Sequence, residues 1–136
     1  MEIEIFTLSD SAHNYNDRLV ISGTFDAVAS PMFPFMHPHC SIALRLRFGD
    51  KEMGKHKIEL KFLGPKGEVH QPITAKVDVN KRHPSAQYAA INFVMNMANL
   101  KFDLPGQYSF ELHVDDEWRS GLPLNVLEVN KNVQAA

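Results

Sequence analysis

The chain has 136 residues and a mass of 15.4 kDa, close to the commonest single-domain size, so one core is expected and a second has no room. Hydrophobic residues at 44% and charged residues at 22% sit near the globular average, which excludes a disordered chain, a collagen-like fibre and a disulfide-dense mini-protein. With 14 Lys and Arg against 16 Asp and Glu the net charge is −2, which leaves no surplus for a general nucleic-acid or anionic-membrane binder.

The lone Cys40 cannot form an internal disulfide, and that favours a reducing compartment such as the cytoplasm. No basic-then-apolar leader opens the chain, and no apolar run approaches the roughly 20 residues of a membrane span. Neither an export signal nor a membrane segment is expected.

In chain order, period-two alternation predicts a strand over 2–8, then a second over 18–28 with Leu19, Ile21, Gly23 and Phe25 on one face. The segment 29–39 carries three prolines and reads as an apolar loop. Strand three, 40–48, alternates Ile42, Leu44, Leu46 and Phe48 against Ala43, Arg45 and Arg47, and Gly49-Asp50 turns the chain. Strand four, 56–63, sets Ile58, Leu60 and Phe62 against Lys57, Glu59 and Lys61, and Gly64-Pro65-Lys66-Gly67 ends it. Strand five covers 73–79.

The segment 85–98 could be a helix capped by Ser85 with Tyr88, Ile91, Met95 and Ala98 on one face. Strand is preferred, because Ile91, Phe93, Met95 and Met97 alternate and Asn92, Asn96 and Asn99 are poor interior helix formers. Strand seven follows Pro105-Gly106, with Tyr108, Phe110, Leu112 and Val114 inward. Asp115-Asp116-Glu117 supplies a turn into strand eight, 121–129, and the tail 130–136 is expected to fray. The long connections 9–17, 29–39 and 80–87 are where function is expected.

The run Phe102-Asp103-Leu104-Pro105-Gly106-Gln107-Tyr108-Ser109-Phe110-Glu111-Leu112-His113-Val114-Asp115 resembles the late hairpin of many immunoglobulin-like and C2-like sandwiches. Further matching features are the opening Glu4-Ile5-Phe6-Thr7-Leu8-Ser9-Asp10, the strand Leu19-Val20-Ile21-Ser22-Gly23-Thr24-Phe25-Asp26, and His37-Pro38. With them the chain resembles, over about residues 1–127, a bacterial family of small uncharacterised β-sandwich proteins. That family has no assigned activity, so the resemblance implies a fold and adds no catalytic residue.

Among the chemical candidates, His37-Pro38-His39-Cys40 is the most metal-like, since imidazole and thiolate at short spacing could begin a zinc or copper site. A jelly-roll metal site would need a carboxylate shortly after, where Ala43 and Leu44 stand. The plainer reading buries Cys40 as a small hydrophobe. Asp115, Asp116 and Glu117 could ligate calcium if Asp26 or Asp50 joined them, but acidic residues are also ordinary turn formers. A triad of Ser30, His37 and Asp26, or Cys40 with any of the seven histidines, is a chance combination without a supporting elbow or phosphate loop.

Residues 45–66 hold Arg45, Arg47, Lys51, Lys55, Lys57, Lys61 and Lys66 against Asp50, Glu52 and Glu59. If strands three and four pair, Arg45, Arg47, Lys57 and Lys61 share one exposed basic face able to meet an acidic partner. The alternative is that such charges only guard a sheet against aggregation. Met32, Phe33, Phe35 and Met36 could form an exposed recognition patch or fold back to close the core.

The sequence therefore predicts a single all-β domain over 1–129: a two-sheet antiparallel β-sandwich of about eight strands, immunoglobulin-like or C2-like. Its expected role is a non-catalytic binding or scaffolding module without cofactor. It would act on a protein partner through loop 29–39 or hairpin 45–66, with no nucleic acid, no membrane, and homo-oligomerisation possible. The runner-up is a metal-dependent enzyme or metal-binding protein using His37, His39 and a third ligand such as Cys40.

Overall fold

Alternating apolar residues become nine strands in the computed structural model, which describes residues 1–70 and 72–130. They are β1 (Glu2–Tyr15), β2 (Arg18–Thr24), β3 (Ala27–Ser30), β4 (Phe35–Gly49), β5 (Gly54–Leu63), β6 (Ile73–Val79), β7 (Tyr88–Phe102), β8 (Gly106–Val114) and β9 (Glu117–Glu128). A single 3₁₀ turn, Asp50–Glu52, links β4 to β5. One sheet has the order β2-β1-β4-β7 and the other β3-β9-β8-β5-β6. Every pairing is antiparallel except β3 with β9.

The two sheets form the sandwich that the alternation implies. With β4 and β7 in one sheet and β5, β8 and β9 in the other, the strands divide as in immunoglobulin domains. Near the start of β8 the Tyr108 hydroxyl donates to the Leu104 carbonyl at 2.7 Å, the tyrosine corner found on such sandwiches.

The core lies between the facing sheets. Ile42, Leu44, Leu46 and Phe48 of β4 meet Phe110, Leu112 and Val114 of β8, with Ile58 and Leu60 of β5 and Leu124 and Val126 of β9 beside them. One end is aromatic. There Phe62 stacks on Phe110 at 4.7 Å and Tyr108 at 5.6 Å, while Phe102 stacks on Phe35 at 6.0 Å and meets Tyr108 edge-on at 5.0 Å.

Several elements differ from the sequence reading, each for a local reason. β1 runs on to Tyr15 instead of ending at residue 8, because Asn16 (φ 48°) and Asp17 (φ 60°) form a two-residue left-handed turn that pairs Tyr15 with Arg18. Beyond Ser9, the last residue of β1 paired to β4, the β1–β2 hairpin folds over the outer face of its own sheet. Ala12 is buried, and so are Ser41 and Ala43, which alternate away from the core. The segment 18–28 is two strands in different sheets, for the chain crosses at Phe25-Asp26, whose backbone bonds go to Leu8 on one side and Asn125 on the other.

The proline-rich segment 29–39 is only partly a loop, since β3 reaches Ser30 and β4 starts at Phe35. Pro38 interrupts the β4–β7 ladder for one step: His37 pairs with Leu100 and His39 with Ala98, and opposite the proline Asn99 takes a left-handed φ of 54°. Residues 88–102 are a strand and not a helix. Part of the expected frayed tail, residues 131–136, lies outside the described residues.

Candidate functional site

The largest correction concerns the basic hairpin. β4 and β5 do not pair: β4 lies between β1 and β7, and β5 between β6 and β8 in the other sheet. Arg45 and Arg47 therefore stand on one outer face of the sandwich, Lys57 and Lys61 on the opposite one. Each cation also meets carboxylates. Arg45 binds Glu4 at 3.0 Å, Arg47 binds Glu2 and reaches Glu4 at 3.3 Å, Lys57 binds Asp116 at 2.7 Å and Lys61 lies 3.5 Å from Glu59. The local excess of Lys and Arg is thus balanced by carboxylates across strands and, for Lys61, within β5, and no single basic face results.

The acidic turn is likewise committed. Asp115 (φ 52°) and Asp116 (φ 67°) form a left-handed hairpin turn between β8 and β9. The Asp115 carboxylate accepts from the Lys57 amide at 2.9 Å and from His56 Nδ1 at 2.6 Å, while Glu117 pairs with Arg119 at 3.1 Å. Asp50 is held by Lys81 at 2.5 Å. His56 lies between two acceptors, with Nε2 2.5 Å from the Glu52 carbonyl, an arrangement that only the protonated ring satisfies with both nitrogens donating.

Burial alone would lower the His56 pKa, but these hydrogen bonds raise it above the ordinary 6.5. For Asp115, burial is likewise outweighed by His56 and the Lys57 amide, and the pKa falls below 3.8. The raised His56 value gives stability that is complete below pH 6.5 and lost as pH rises through the folded pKa; the lowered Asp115 value gives stability present above 3.8 and lost as pH falls. Denaturant midpoints measured against pH should be highest between those two values. His56→Gln should flatten the alkaline decline and cost about 1 kcal/mol at pH 5, below the usual range for a charged hydrogen bond because Asp115 is half exposed.

The residues around His37 are separated. The His37 ring lies 5.7 Å from Phe25 and 6.3 Å from Phe35, His39 Nδ1 is 3.0 Å from the Asp10 carbonyl, and Cys40 faces the core. Burial, with a smaller contribution from the Asp10 charge, pushes the Cys40 thiol up to about 11, so it stays protonated. Among the described residues no group of three His, Cys, Asp or Glu side chains is placed to hold a metal ion. Ser30 uses its hydroxyl on the Met32 backbone, donating to the carbonyl at 2.8 Å and accepting from the amide at 3.2 Å.

Loop 29–39 does two things at once. Phe33 and Phe35 pack against the core, whereas Met32 and Met36 stay 63% and 53% exposed.

A site that the sequence reading did not assemble lies at the open edge of β7. The strand is the last in its sheet, and β6 is the last in the facing sheet on the same side. An open groove of about 830 Å³ follows this side, with Val77, Ala89, Ile91 and Phe93 as apolar lining and Asn14, Asn80, Gln87, Tyr88 and Asn92 as polar lining. The β1–β2 tip reaches it across the outer face, since Asn92 Nδ2 donates to the Asp17 carbonyl at 3.0 Å and to Asn14 Oδ1 at 3.3 Å. Arg82 of the β6–β7 connection binds Asp17 at 2.5 Å, and that bond holds the Asp17 carboxyl below the usual carboxylate range. This ion pair joins the two walls of the groove near the start of β7.

The β7 edge differs from the other sheet edges. β3 is four residues long, β6 carries Lys76 and Asp78, and β2 opens with Arg18 and contains Gly23. β7 has 15 residues and holds no charge, proline or glycine from Tyr88 to Leu100. Edge strands are normally guarded by such residues, and here the guard is missing.

The family model with the description "Family of unknown function (DUF6941)" matches residues 4–127. The chain belongs to this family. No curated protein matches it. Among solved structures, the CARDB domain of the PF1109 protein from Pyrococcus furiosus, in complex with di-metal ions, is similar at 10% identity and a TM-score of 0.42, covering 95% of this chain and 98% of that one. For this DUF6941 member the family gives no activity. Among the described residues no helix is long and apolar enough to cross a membrane.

Proposed function

We propose that this DUF6941 chain is a non-catalytic interaction module that accepts an extended strand along the edge of β7. The observation that carries this reading is the uncharged edge from Tyr88 to Leu100, set beside partly buried Ile91, Phe93, Met95 and Met97 that the facing sheet does not cover fully. Strand addition satisfies the free backbone groups of an edge, and pockets for alternate side chains give selectivity. The test is an array of random decapeptides overlaid with labelled protein at low concentration. Wild type should favour extended, alternating sequences, and Val94→Lys/Ala98→Lys should lose at least tenfold in signal, since edge lysines oppose strand addition. An unchanged pattern would contradict the reading.

A second reading rests on Met32 and Met36, whose exposure on the 29–39 loop suits an adaptable apolar contact. Met32→Ser/Met36→Ser probed on the same array separates the two, because only this reading expects that variant to lose signal.

A further inference from the structure

We infer that the β1–β2 hairpin is a latched strap that regulates access to the start of the β7 edge. This rests on the reading of β7 as a strand acceptor and adds how that site is opened and closed. Of residues 10–24 only Ala12 is fully buried, while Tyr15 and Val20 are exposed. Beneath the hairpin the sheet offers small side chains, Ser41 and Ala43. Little apolar area therefore holds the hairpin down, and segments of that kind open at a lower free energy than the core.

The hold is instead polar and sits at the tip. Asn92 donates to the Asp17 carbonyl and to Asn14 Oδ1, and its own Oδ1 accepts from Arg45 Nη1 at 2.9 Å, so one β7 side chain fixes the tip to its sheet. The Arg82–Asp17 pair then ties the tip to the β6–β7 connection. Asn14, Asp17 and Arg82 line the groove together with Ala89 and Ile91 of β7, so the latched tip narrows the space that a strand must enter there. No side-chain hydrogen bond from the hairpin reaches Phe93–Ala98 among the described residues, and this part of the edge stays open. Both Arg82 and Asp17 are well exposed, which makes their pair sensitive to salt and to any partner that competes for either charge.

Asp17→Asn and Arg82→Gln should each raise the peptide-array signal about twofold to fivefold, the range that breaking an exposed ion pair supports, and the double variant should gain no more than either single one. Raising the salt from about 0.05 M to about 0.5 M should raise the wild-type signal and leave that of Arg82→Gln nearly unchanged. Amide exchange in β2 should quicken in both single variants, whereas a purely local loss of one ion pair would leave β2 as it was. If β2 exchanges faster but the array signal does not rise, while Val94→Lys/Ala98→Lys still lowers it, the strap does not regulate the edge and the strand-acceptor reading stands. Unchanged β2 exchange also overturns the inference, because no latch has then been released. An array signal that ignores the two lysines overturns the reading and the inference together.

Discussion

Phe102→Ala should lower the unfolding free energy by about 3–5 kcal/mol, the usual range for emptying a buried aromatic site. Phe102 is 1% exposed at the end of β7, and its ring touches Phe35 of β4, Phe62 of β5 and Tyr108 of β8. It therefore joins the two sheets at the aromatic end, and its neighbours are themselves large rings that collapse poorly into a cavity. Domains of this size have about 5–15 kcal/mol in all, so the variant should be folded but visibly marginal in urea. A loss below about 1 kcal/mol would mean that the aromatic end is not packed as described.

Ala43→Lys should cost a similar amount, about 3–5 kcal/mol, for a different reason. Ala43 points away from the core yet is 0% exposed, because the β1–β2 hairpin lies over it. A lysine there either stays buried without a partner or pushes the hairpin off the sheet. The second outcome should be visible as new tryptic cleavage after Arg18, which begins β2. Ala98→Lys makes the same chemical change at an exposed position of β7 and should fall within about 0.5 kcal/mol. Equal effects at the two sites would contradict the folded-over hairpin.

The core was legible in the sequence because it rests on period-two alternation, and Ile42, Leu44, Leu46 and Phe48 face inward as their spacing requires. The β-sandwich class follows from the same signal, as does the choice of strand over helix for 85–98, most of which lies in β7. Non-local pairing was not legible. Arg45 and Lys61 are near in sequence but lie in different sheets, and Glu4 becomes the neighbour of Arg45 only through the strand order, whereas Glu59 stands two residues from Lys61 on the same face of β5. The Asn16-Asp17 turn could have been found, since both residues tolerate the left-handed conformation that a two-residue hairpin demands. The uncharged run from Tyr88 to Leu100 was also visible, but nothing in it says that the strand is an edge until the sheets are assembled.

The central claim is that β7 presents an unoccupied edge to another strand, and amide hydrogen exchange measures this most directly. In dilute protein, the outward-pointing amides within Phe93–Ala98 should exchange at least tenfold faster than those of β4, which is paired on both sides from Ser41 to Arg47. Adding a peptide selected on the array should slow those β7 amides and leave β6 unchanged. Uniform protection across β7 in dilute protein, or protection gained at β6 instead, would contradict the account.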